Sequence, residues 1–505
     1  MKMITDEKVN FNSLEENTYK KVMKLGRELI IDNLRTLDNL IKQYRDKEIF
    51  KVKDFQRTTI KTKLGEIEFS RRRYEMETNG IKKCIYLLDE LLEINCIGQY
   101  SQSVVEMIIR EITKKSYRET AKTVSEDTES QITYTAVRKI VLELGEKIKN
   151  LEEEKIKLYE EGKIEGTKEA EYIFCEHDGI YIKKQKAKKE KKKRKYKEKK
   201  IQKKRSKKKK RSKKKKNGIE LKIAVIHEGK EARYENDFKL RNKIIVGTVG
   251  KAKELKRIED TAIGTTYKEY AIKKIIINGD GADWTGSIVE GAKEIFQLDM
   301  AHIQKKMYMA VSDKEYLKKM QEIVYTEKVK EIFSLIYNYK VELEADKKIE
   351  ELKKVKELEK YLKNNINGIQ RYQYKLGYKE KEIERNEEKL PTLGTEESQM
   401  YCVCRDRMKK NRTSWSIGGA EALLKVIMYK MNETIEKVIT KKAEEEIKRE
   451  LAERIPEPKK VKKAKEIPIP YAGKYEIASN FAGEKKDYIK NLLREKKCSE
   501  LMLIN

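Results

Sequence analysis

Two aspartates stand in apolar, β-branched segments, where an acid serves chemistry better than it serves folding. Asp280 follows the run Ile275-Ile276-Ile277-Asn278-Gly279, and Asp178 lies within residues 171–182. Both segments have the length and composition of buried strands. At such a place Asp280 can bind a metal ion, or it can simply form an Asx turn that leads into a helix near residue 284. The Asp280 segment alone leaves both interpretations open.

Acids of this kind suit the cleavage of phosphodiester bonds. That reaction needs an activated oxygen nucleophile and a stabilised leaving oxygen, and two magnesium ions about 4 Å apart supply both. Magnesium prefers carboxylate ligands, so two or three acids from different elements can hold such a pair. Asp178, Asp280 and a glutamate from a later helix meet this need. The sequence therefore predicts a site for Mg²⁺ or Mn²⁺.

The order of the predicted elements indicates how the two aspartates meet. A meander of three strands is followed by a helix, a strand, a second helix and a fifth strand. Their predicted bounds are 171–182, 219–226, 243–249, 251–272, 275–278, from about 284, and 294–299. Such an order predicts an α/β protein with a ribonuclease-H-like mixed sheet and helices on both faces. In that topology the first and fourth strands are neighbours, so Asp178 and Asp280 should approach each other.

The preceding region, residues 61–150, has the pattern of a DNA-binding region. A small basic β-hairpin is followed by two short helices separated by a polar turn. Thr133 can cap the second helix, which presents Tyr134, Thr135 and Arg138 near its start. This arrangement is typical of a helix-turn-helix that contacts a DNA groove, and of any other helical hairpin.

The positive charge is concentrated in one segment. The formal net charge is +32, and residues 183–216 contain 25 Lys or Arg and two Glu, so they contribute +23 of it. Such a segment cannot bury apolar surface, and it predicts a solvated loop that binds phosphate backbones without reading sequence. A low-complexity insertion without function is the alternative. Nucleic acid is the predicted partner.

Several classes of protein are not expected. No apolar run approaches the roughly 20 residues of a membrane span, and the first residues lack the apolar core of a signal peptide. The six cysteines are scattered and only three histidines are present. Zinc fingers and disulfide frameworks are therefore not expected. The sequence predicts a cytoplasmic protein that does not bind membranes.

The remaining regions complete the predicted domain organisation. A long segment rich in Lys, Glu and Leu, without proline, predicts a helical insertion into the core, and four of the five prolines fall near the C-terminus. The predicted parts are an N-terminal helical region (1–60), the DNA-binding region (61–150), the core (165–302 plus 391–430), the helical insertion (303–390), and a helix with a Pro-containing basic linker and tail (431–505).

Several segments resemble the insertion-sequence transposases of the ISLre type. They are residues 176–182, 277–284 and 298–302, the motif Arg407-Met408-Lys409-Lys410, and Ser414-Trp415-Ser416. The resemblance covers roughly residues 60–430. Members of that group are Asp-Asp-Glu transposases with a ribonuclease-H-like core and a helical insertion, and they act in the bacterial cytosol or nucleoid.

The resemblance implies particular catalytic residues. Asp178 and Asp280 would be the two catalytic, metal-binding aspartates. The third acid would be Glu397, about ten residues before the Arg-Met-Lys-Lys motif, with Glu396 and Glu421 as rivals.

Further residues have implied accessory roles. Asp299 and His302 match an Asp-x-x-His pattern, and His302 would help to position DNA; a polar helix cap is the alternative. The resemblance also suggests that Arg407, Lys409 and Lys410 contact DNA.

The predicted function is that of a DNA transposase. It would cleave and rejoin strands at the ends of an insertion sequence, and it would act on DNA as a homo-oligomer. The alternatives are a catalytically inactive or repurposed nucleic-acid-binding protein derived from a transposase, and a related nuclease that cuts without joining.

Overall fold

The computed structural model describes most of the chain between residues 10 and 439. The described range excludes 79–80, 93, 95–96, 186–217, 235–236, 287, 290, 325, 327, 386–388, 395–403 and 411–412. The chain forms two compact units, and the first ends at Ser101 while the second begins at Gln102. This division does not coincide with the predicted boundaries at residues 60 and 150.

The first unit packs one long helix on an antiparallel meander. Asn10 caps the helix and forms a capping box with Ser13. Residues 51–60 were expected to be helical, and this prediction is wrong. They belong to a strand that pairs antiparallel with the following strand, beginning with the pair Thr62 and Gly65 at the turn. The elements are α1 (Phe11–Tyr44), β1 (Lys51–Thr62), β2 (Gly65–Thr78), β3 (Ile81–Ile85) and α2 (Leu87–Leu92).

Three helices open the second unit and pack on one another through apolar side chains. They are α3 (Gln102–Ile112), α4 (Tyr117–Thr128) and α5 (Tyr134–Glu160). The predicted cap is confirmed, because the Thr133 hydroxyl accepts a hydrogen bond from the backbone of Ala136 at 3.2 Å. The helix that Thr133 caps is longer than the short helix predicted, since its apolar face continues from Leu144 through Ile148.

A five-stranded mixed sheet forms the centre of the second unit. Its strand order is β10-β9-β4-β5-β8, and the pairing of β4 with β9 confirms that the first and fourth predicted strands are neighbours. Strands β4, β9 and β10 are parallel, whereas β5 runs antiparallel to β4 and to β8. A separate two-stranded hairpin, β6–β7, was not predicted. The strands are β4 (Tyr172–Lys183), β5 (Gly218–His227), β6 (Lys230–Tyr234), β7 (Asp237–Leu240), β8 (Ile244–Thr248), β9 (Lys274–Gly279) and β10 (Glu294–Leu298).

Helix α6 (Ala252–Gly264) covers one face of the sheet. Ile173 and Cys175 from β4 and Leu255 from the helix belong to the same buried cluster. The helix is shorter than predicted and is followed by a 3₁₀ turn at Glu269–Ala271. The helix expected from residue 284 is a single turn, α7 (Asp283–Gly286).

The region after the last strand is helical, as predicted, and has its own apolar core. Leu298, Ile303 and Met307 join this core to the end of the sheet. The helices are α8 (Met300–Ala310), α9 (Lys314–Ile323), a 3₁₀ turn (Val329–Glu331), α10 (Ile332–Ala345), α11 (Ile349–Asn364), α12 (Ile366–Ile369), α13 (Tyr372–Lys375) and α14 (Glu380–Arg385).

The last described elements return to the core. They are a π-helical turn (Arg405–Lys409), α15 (Ile417–Met431) and α16 (Glu436–Ile439). Helix α15 is buried along most of its length because it packs against α5 and β8. Most of the lysine-rich loop and the predicted linker and tail lie outside the described residues. Within the described part, no helix is long and apolar enough to cross a membrane.

Candidate active site

A row of polar side chains crosses one face of the sheet. Because side chains alternate along a strand, residues two apart share a face. The last paired residues of β4 and β9 are His177 and Gly279, so the next residues, Asp178 and Asp280, lie at the same level of adjacent strands. The row consists of Glu176 and Asp178 on β4, Asn278 and Asp280 at β9, and Gln297 and Asp299 at β10.

Asp178 has one carboxylate oxygen that lacks a partner. Its Oδ1 accepts a hydrogen bond from the backbone of Gly179 at 2.6 Å. Its Oδ2 is buried and has no hydrogen-bond partner among the described residues. Burial raises the pKa of Asp178, and the carboxylate of Asp280 raises it further. A positive charge beside this oxygen would favour the ionised form of Asp178.

Asp280 forms the Asx turn, and this turn is compatible with a metal-binding role for its carboxylate. Its Oδ1 accepts a hydrogen bond from the backbone of Ala282 at 2.9 Å, which is the Asx turn considered from the sequence. The turn passes through Gly281 at φ +75°. The hydroxyl of Tyr361, from α11, donates to the backbone carbonyl of Asp280 at 2.8 Å. The turn orients the carboxylate, and the helical insertion holds the turn.

Asp299 and His302 adjoin the two aspartates. The Oδ1 of Asp299 caps α8 by accepting the backbone N–H of His302 at 2.8 Å, and it lies 2.9 Å from the ring Nδ1 of the same residue. Asp178, Asp280, Asp299 and His302 line one small cavity. The polar cap is thus real for Asp299, and it places the imidazole beside the carboxylates.

Buried acid–histidine pairs support the strand of Asp178. On the polar face, Glu176 lies 3.3 Å from His227 Nε2. On the opposite face, His177 Nε2 lies 2.5 Å from Glu259 of α6. Burial favours a neutral carboxyl at Glu259, but His177 and Lys256 outweigh this effect and lower its pKa. These residues were missed in the sequence, although Glu176 and Asn278 lie two positions before the aspartates and so had to share their face.

Of the three candidates for the third acid, Glu421 is the one within the described residues. Glu396 and Glu397 lie outside the described residues. Glu421 accepts a hydrogen bond from the backbone of Val249 at 2.8 Å and contacts Thr248 at the end of β8. It does not line the cavity of the aspartates.

The described residues on either side of Glu397 lie at the site. The backbone N–H of Gly394 donates to Glu176 Oε2 at 3.2 Å, and a β-carbon at this position would lie 2.5 Å from Asp299 Oδ2. Burial and the nearby charge of Asp178 raise the pKa of Cys404 to about 12. Gly394 and Cys404, which lie before and after Glu397 in the sequence, are therefore both near the carboxylates of the site.

The donors present fit a hard divalent cation. Mg²⁺ and Mn²⁺ prefer carboxylate oxygens, and the unpartnered Oδ2 of Asp178 is such a donor. Asp178 and Asp280 are the two side chains that would hold the ion. Among the described residues, no group of three or more His, Cys, Asp or Glu side chains is already arranged as a metal site.

The predicted DNA-contacting residues fall into two groups. Tyr134, Thr135 and Arg138 are exposed on the first turns of α5, and the guanidinium of Arg118 lies 5.2 Å from the centre of the Tyr134 ring. This side of α5 offers cationic and aromatic groups to solvent.

The second group lies on the π-helical turn. Lys409 and Lys410 are exposed, and Lys410 pairs with Asp406 at 2.5 Å. Arg407 does not fit the expected DNA contact, because its side chain is buried and its Nε donates to the carbonyl of Ile112 at 2.6 Å. Its guanidinium also lies against the ring of Trp415. Arg407 joins α3 to the core.

Comparison with known protein families assigns the chain to one of them. The model of a family described as "Uncharacterised protein family (UPF0236)" matches residues 4–210 and 205–446. The chain belongs to the UPF0236 family. The matched residues include both aspartates, the helical insertion and the Arg-Met-Lys-Lys motif.

Relatives in the family span most of the chain. Two UPF0236 proteins of Caldanaerobacter subterraneus subsp. tengcongensis are each 26% identical over 438 residues, or 84% of this chain. The aligned region is 78% of the first relative and 74% of the second. A third UPF0236 protein of that organism is 26% identical over 433 residues, and its name joins eleven locus designations.

Proposed function

We propose that the protein is a DNA transposase of the Asp-Asp-Glu class, of the ISLre type, with a ribonuclease-H-like core. The observation that carries the proposal is the pair Asp178 and Asp280, level with each other on adjacent parallel strands. One buried oxygen of Asp178 has no partner in the described part of the chain. A structural role alone does not account for a buried carboxylate oxygen that is left without a hydrogen bond or cation, since this is costly.

The side chains of the site have separable tasks in the proposed reaction. Asp178 and Asp280 bind the cation, and the turn at Gly281 fixes the direction of the second carboxylate. A bound divalent metal supplies activation of the attacking oxygen and stabilisation of the leaving oxygen. His302, held by Asp299, is placed to orient a DNA phosphate beside the carboxylates.

We assign the third acid to Glu397. The assignment rests on the spacing that the ISLre resemblance implies and on the described residues at either side, since Gly394 contacts Glu176 and Cys404 lies near Asp178. Glu421 is the weaker candidate because its carboxylate is already used by the backbone of Val249.

DNA recognition is assigned to α4 and α5 as a helix-turn-helix. The two helices pack closely, and the first turns of α5 expose Tyr134, Thr135 and Arg138. Side chains at the N-terminal end of a recognition helix are those that reach base edges and phosphates in a major groove.

The names of the relatives favour a mobile element. One joins eleven locus designations of a single organism, and another joins four. A protein encoded at many places in one genome is what a self-copying DNA element produces. This observation favours transposition over a fixed cellular nuclease.

Replacement of Asp280 by Asn tests the proposal. The purified chain, supplied with Mg²⁺ or Mn²⁺ and DNA that carries the element's own ends, should nick at those ends and join them to target DNA. D280N should reduce both steps about 10³-fold or more, because a metal ligand is lost while the shape is kept. Binding to the DNA ends should be unchanged. D346N is the matched control, since Asp346 is exposed in the insertion and pairs with the exposed Lys348.

Every other outcome of this experiment indicates a different function or overturns the assignment. End binding by the wild type without metal-dependent nicking would indicate an inactive or repurposed DNA-binding protein. Nicking without strand-transfer products would indicate a nuclease. Nicking that D280N leaves at wild-type level would remove Asp280 from the site and overturn the assignment.

A further inference from the structure

Helix α1 has two apolar faces, and only one of them is buried. Leu34 and Ile41 pack into the core of the first unit. On the far side of the same helix, large apolar side chains follow at intervals close to 3.6 residues and therefore form a straight stripe. The stripe consists of Phe11, Leu14, Val22, Leu25 and Leu29, whose exposed fractions lie between 46% and 76%.

The stripe is as large as the largest apolar patches on monomeric proteins. It runs along α1 for about 27 Å, given a rise of about 1.5 Å per residue. With Tyr19 beside it, it exposes roughly 600 Å² of residue surface, and the largest patch on a typical monomer covers about 300–600 Å². A standard interface takes about 800 Å² from each partner. One helix of similar length is enough to cover it.

We propose that a second copy of this chain covers the stripe, through antiparallel pairing of the two α1 helices. Lys21 and Glu28 are both exposed on the same flank of the stripe and are seven residues apart. An antiparallel pair centred between them places Lys21 of each copy beside Glu28 of the other. The contact repeats about the two-fold axis, so the pairing closes as a dimer.

Val22, Leu25 and Leu29 fit the same arrangement, and Phe11 and Leu14 lie farther out along the pair, opposite residues 35–38 of the other copy. With the axis near Leu25, the Leu25 side chains of the two copies meet at the centre. Val22 and Leu29 of one helix then alternate along the seam with those of the other. The face that packs on the first unit's sheet is not used, so each α1 stays docked in its own chain.

Light scattering on the full-length protein tests the pairing. The wild type should show twice the 59.7 kDa mass of one chain. Leu25→Glu should give a monomer at tens of micromolar with unchanged circular dichroism, because two carboxylates would meet at the seam. Asn12→Glu is the matched control, since it adds the same charge at an exposed position of α1 away from the stripe and from the flank of Lys21 and Glu28, and it should stay dimeric.

A charge exchange tests the orientation. Lys21→Glu and Glu28→Lys should each raise the dimer dissociation constant about three- to tenfold, and the double variant should restore it, because exposed ion pairs are each worth up to about 1 kcal/mol. Sedimentation equilibrium measures all four constants. If the double variant is no tighter than the single variants, the antiparallel pairing is wrong.

Two further results would overturn the dimer. One is a wild type that is monomeric at tens of micromolar. This includes the case in which hydrogen exchange shows that residues 440–505 of the same chain, or DNA, protect the stripe. The other is an undiminished dimer in Leu25→Glu. The inference does not depend on catalysis: a chain that dimerises but never nicks DNA refutes only the proposed transposase.

Discussion

At the scale of single residues, the ionised carboxylate of Asp178 suits metal binding but destabilises the metal-free fold. Its pKa is raised first by burial and then by the charge of Asp280, so the ionised form is disfavoured in the folded chain. The unfolded chain imposes no such cost. Between a pH of about 4, where an unfolded aspartate titrates, and the raised pKa of Asp178, the folded state binds more protons than the unfolded state. The free energy of unfolding should therefore fall as pH rises through this range.

Replacement of Asp178 by Asn should therefore stabilise the metal-free protein. In EDTA, the melting temperature of D178N should exceed that of the wild type at pH 7, and the difference should shrink as pH falls toward 4. Excess Mg²⁺ should stabilise the wild type by about 2.7 kcal/mol at 100 times its dissociation constant and leave D178N almost unchanged. Thermal unfolding across pH, with and without Mg²⁺, measures both effects. A D178N variant that melts below the wild type in EDTA would contradict this account of the strain at Asp178.

At the scale of elements, the segment that ends at Gly394 is fixed by groups distant in sequence. Tyr372 donates its hydroxyl to the carbonyl of Pro391, and Lys230 donates to the carbonyl of Thr392. Gly394, at φ +91°, then fits between Glu176 and Asp299 with no room for a side chain. This anchor sets where the chain toward Glu397 begins.

Gly394→Ala should damage the site more than its backbone strain alone explains. Gly377 is a matched control, because its φ is +89° but a β-carbon there would meet nothing within 4 Å. Both substitutions should cost about 1–2 kcal/mol for the left-handed backbone. Gly394→Ala should cost a further 1–3 kcal/mol, roughly, from the clash with Asp299. Urea unfolding measures the difference between the variants.

Activity should separate the same two variants. Gly394→Ala should lower metal-dependent nicking about tenfold or more, because displacement of Asp299 also moves His302, and small misplacements at a reacting centre are costly. Gly377→Ala should nick at the wild-type rate. Equal nicking by both would show that the anchor has no part in the reaction.

At the scale of the whole molecule, the strands on either side of the lysine-rich segment remain paired with each other. Lys183 pairs with Gly218, so β4 and β5 remain in register up to the ends of the loop. The entropy cost of closing a long loop rises only slowly with its length, which makes such an insertion tolerable at a hairpin. Most of the net charge of the chain is nevertheless placed there.

Replacement of residues 186–216 by a Gly/Ser linker of equal length should remove non-specific DNA binding and keep the fold. Affinity for random DNA at low salt should fall about tenfold or more, and the slope of log K against log salt should become shallower, because fewer counterions are released. Preference for the element's own ends over random DNA should be retained or increased. Fluorescence anisotropy across a salt series measures these values, and an unchanged slope would show that the loop does not bind phosphates.

The sequence determined the strands and the pairing of the aspartates. Apolar segments at residues 171–182 and 275–278 were enough to predict two buried strands, and the order of elements was enough to make them neighbours. Local signals also predicted the Thr133 cap and the helical character of the insertion. These features depend on residues close in sequence or on general rules of chain topology.

Only the tertiary structure decided which polar residues are buried and what they contact. The family resemblance suggested that Arg407 contacts DNA, yet its side chain is buried and donates to the carbonyl of Ile112, 295 positions earlier. Residues 51–62 became a strand because β2 was available to pair with them. Glu259 and His177, 82 positions apart, meet only when α6 packs on β4. Such contacts depend on the packing of distant elements, and that packing leaves no period or motif in the sequence.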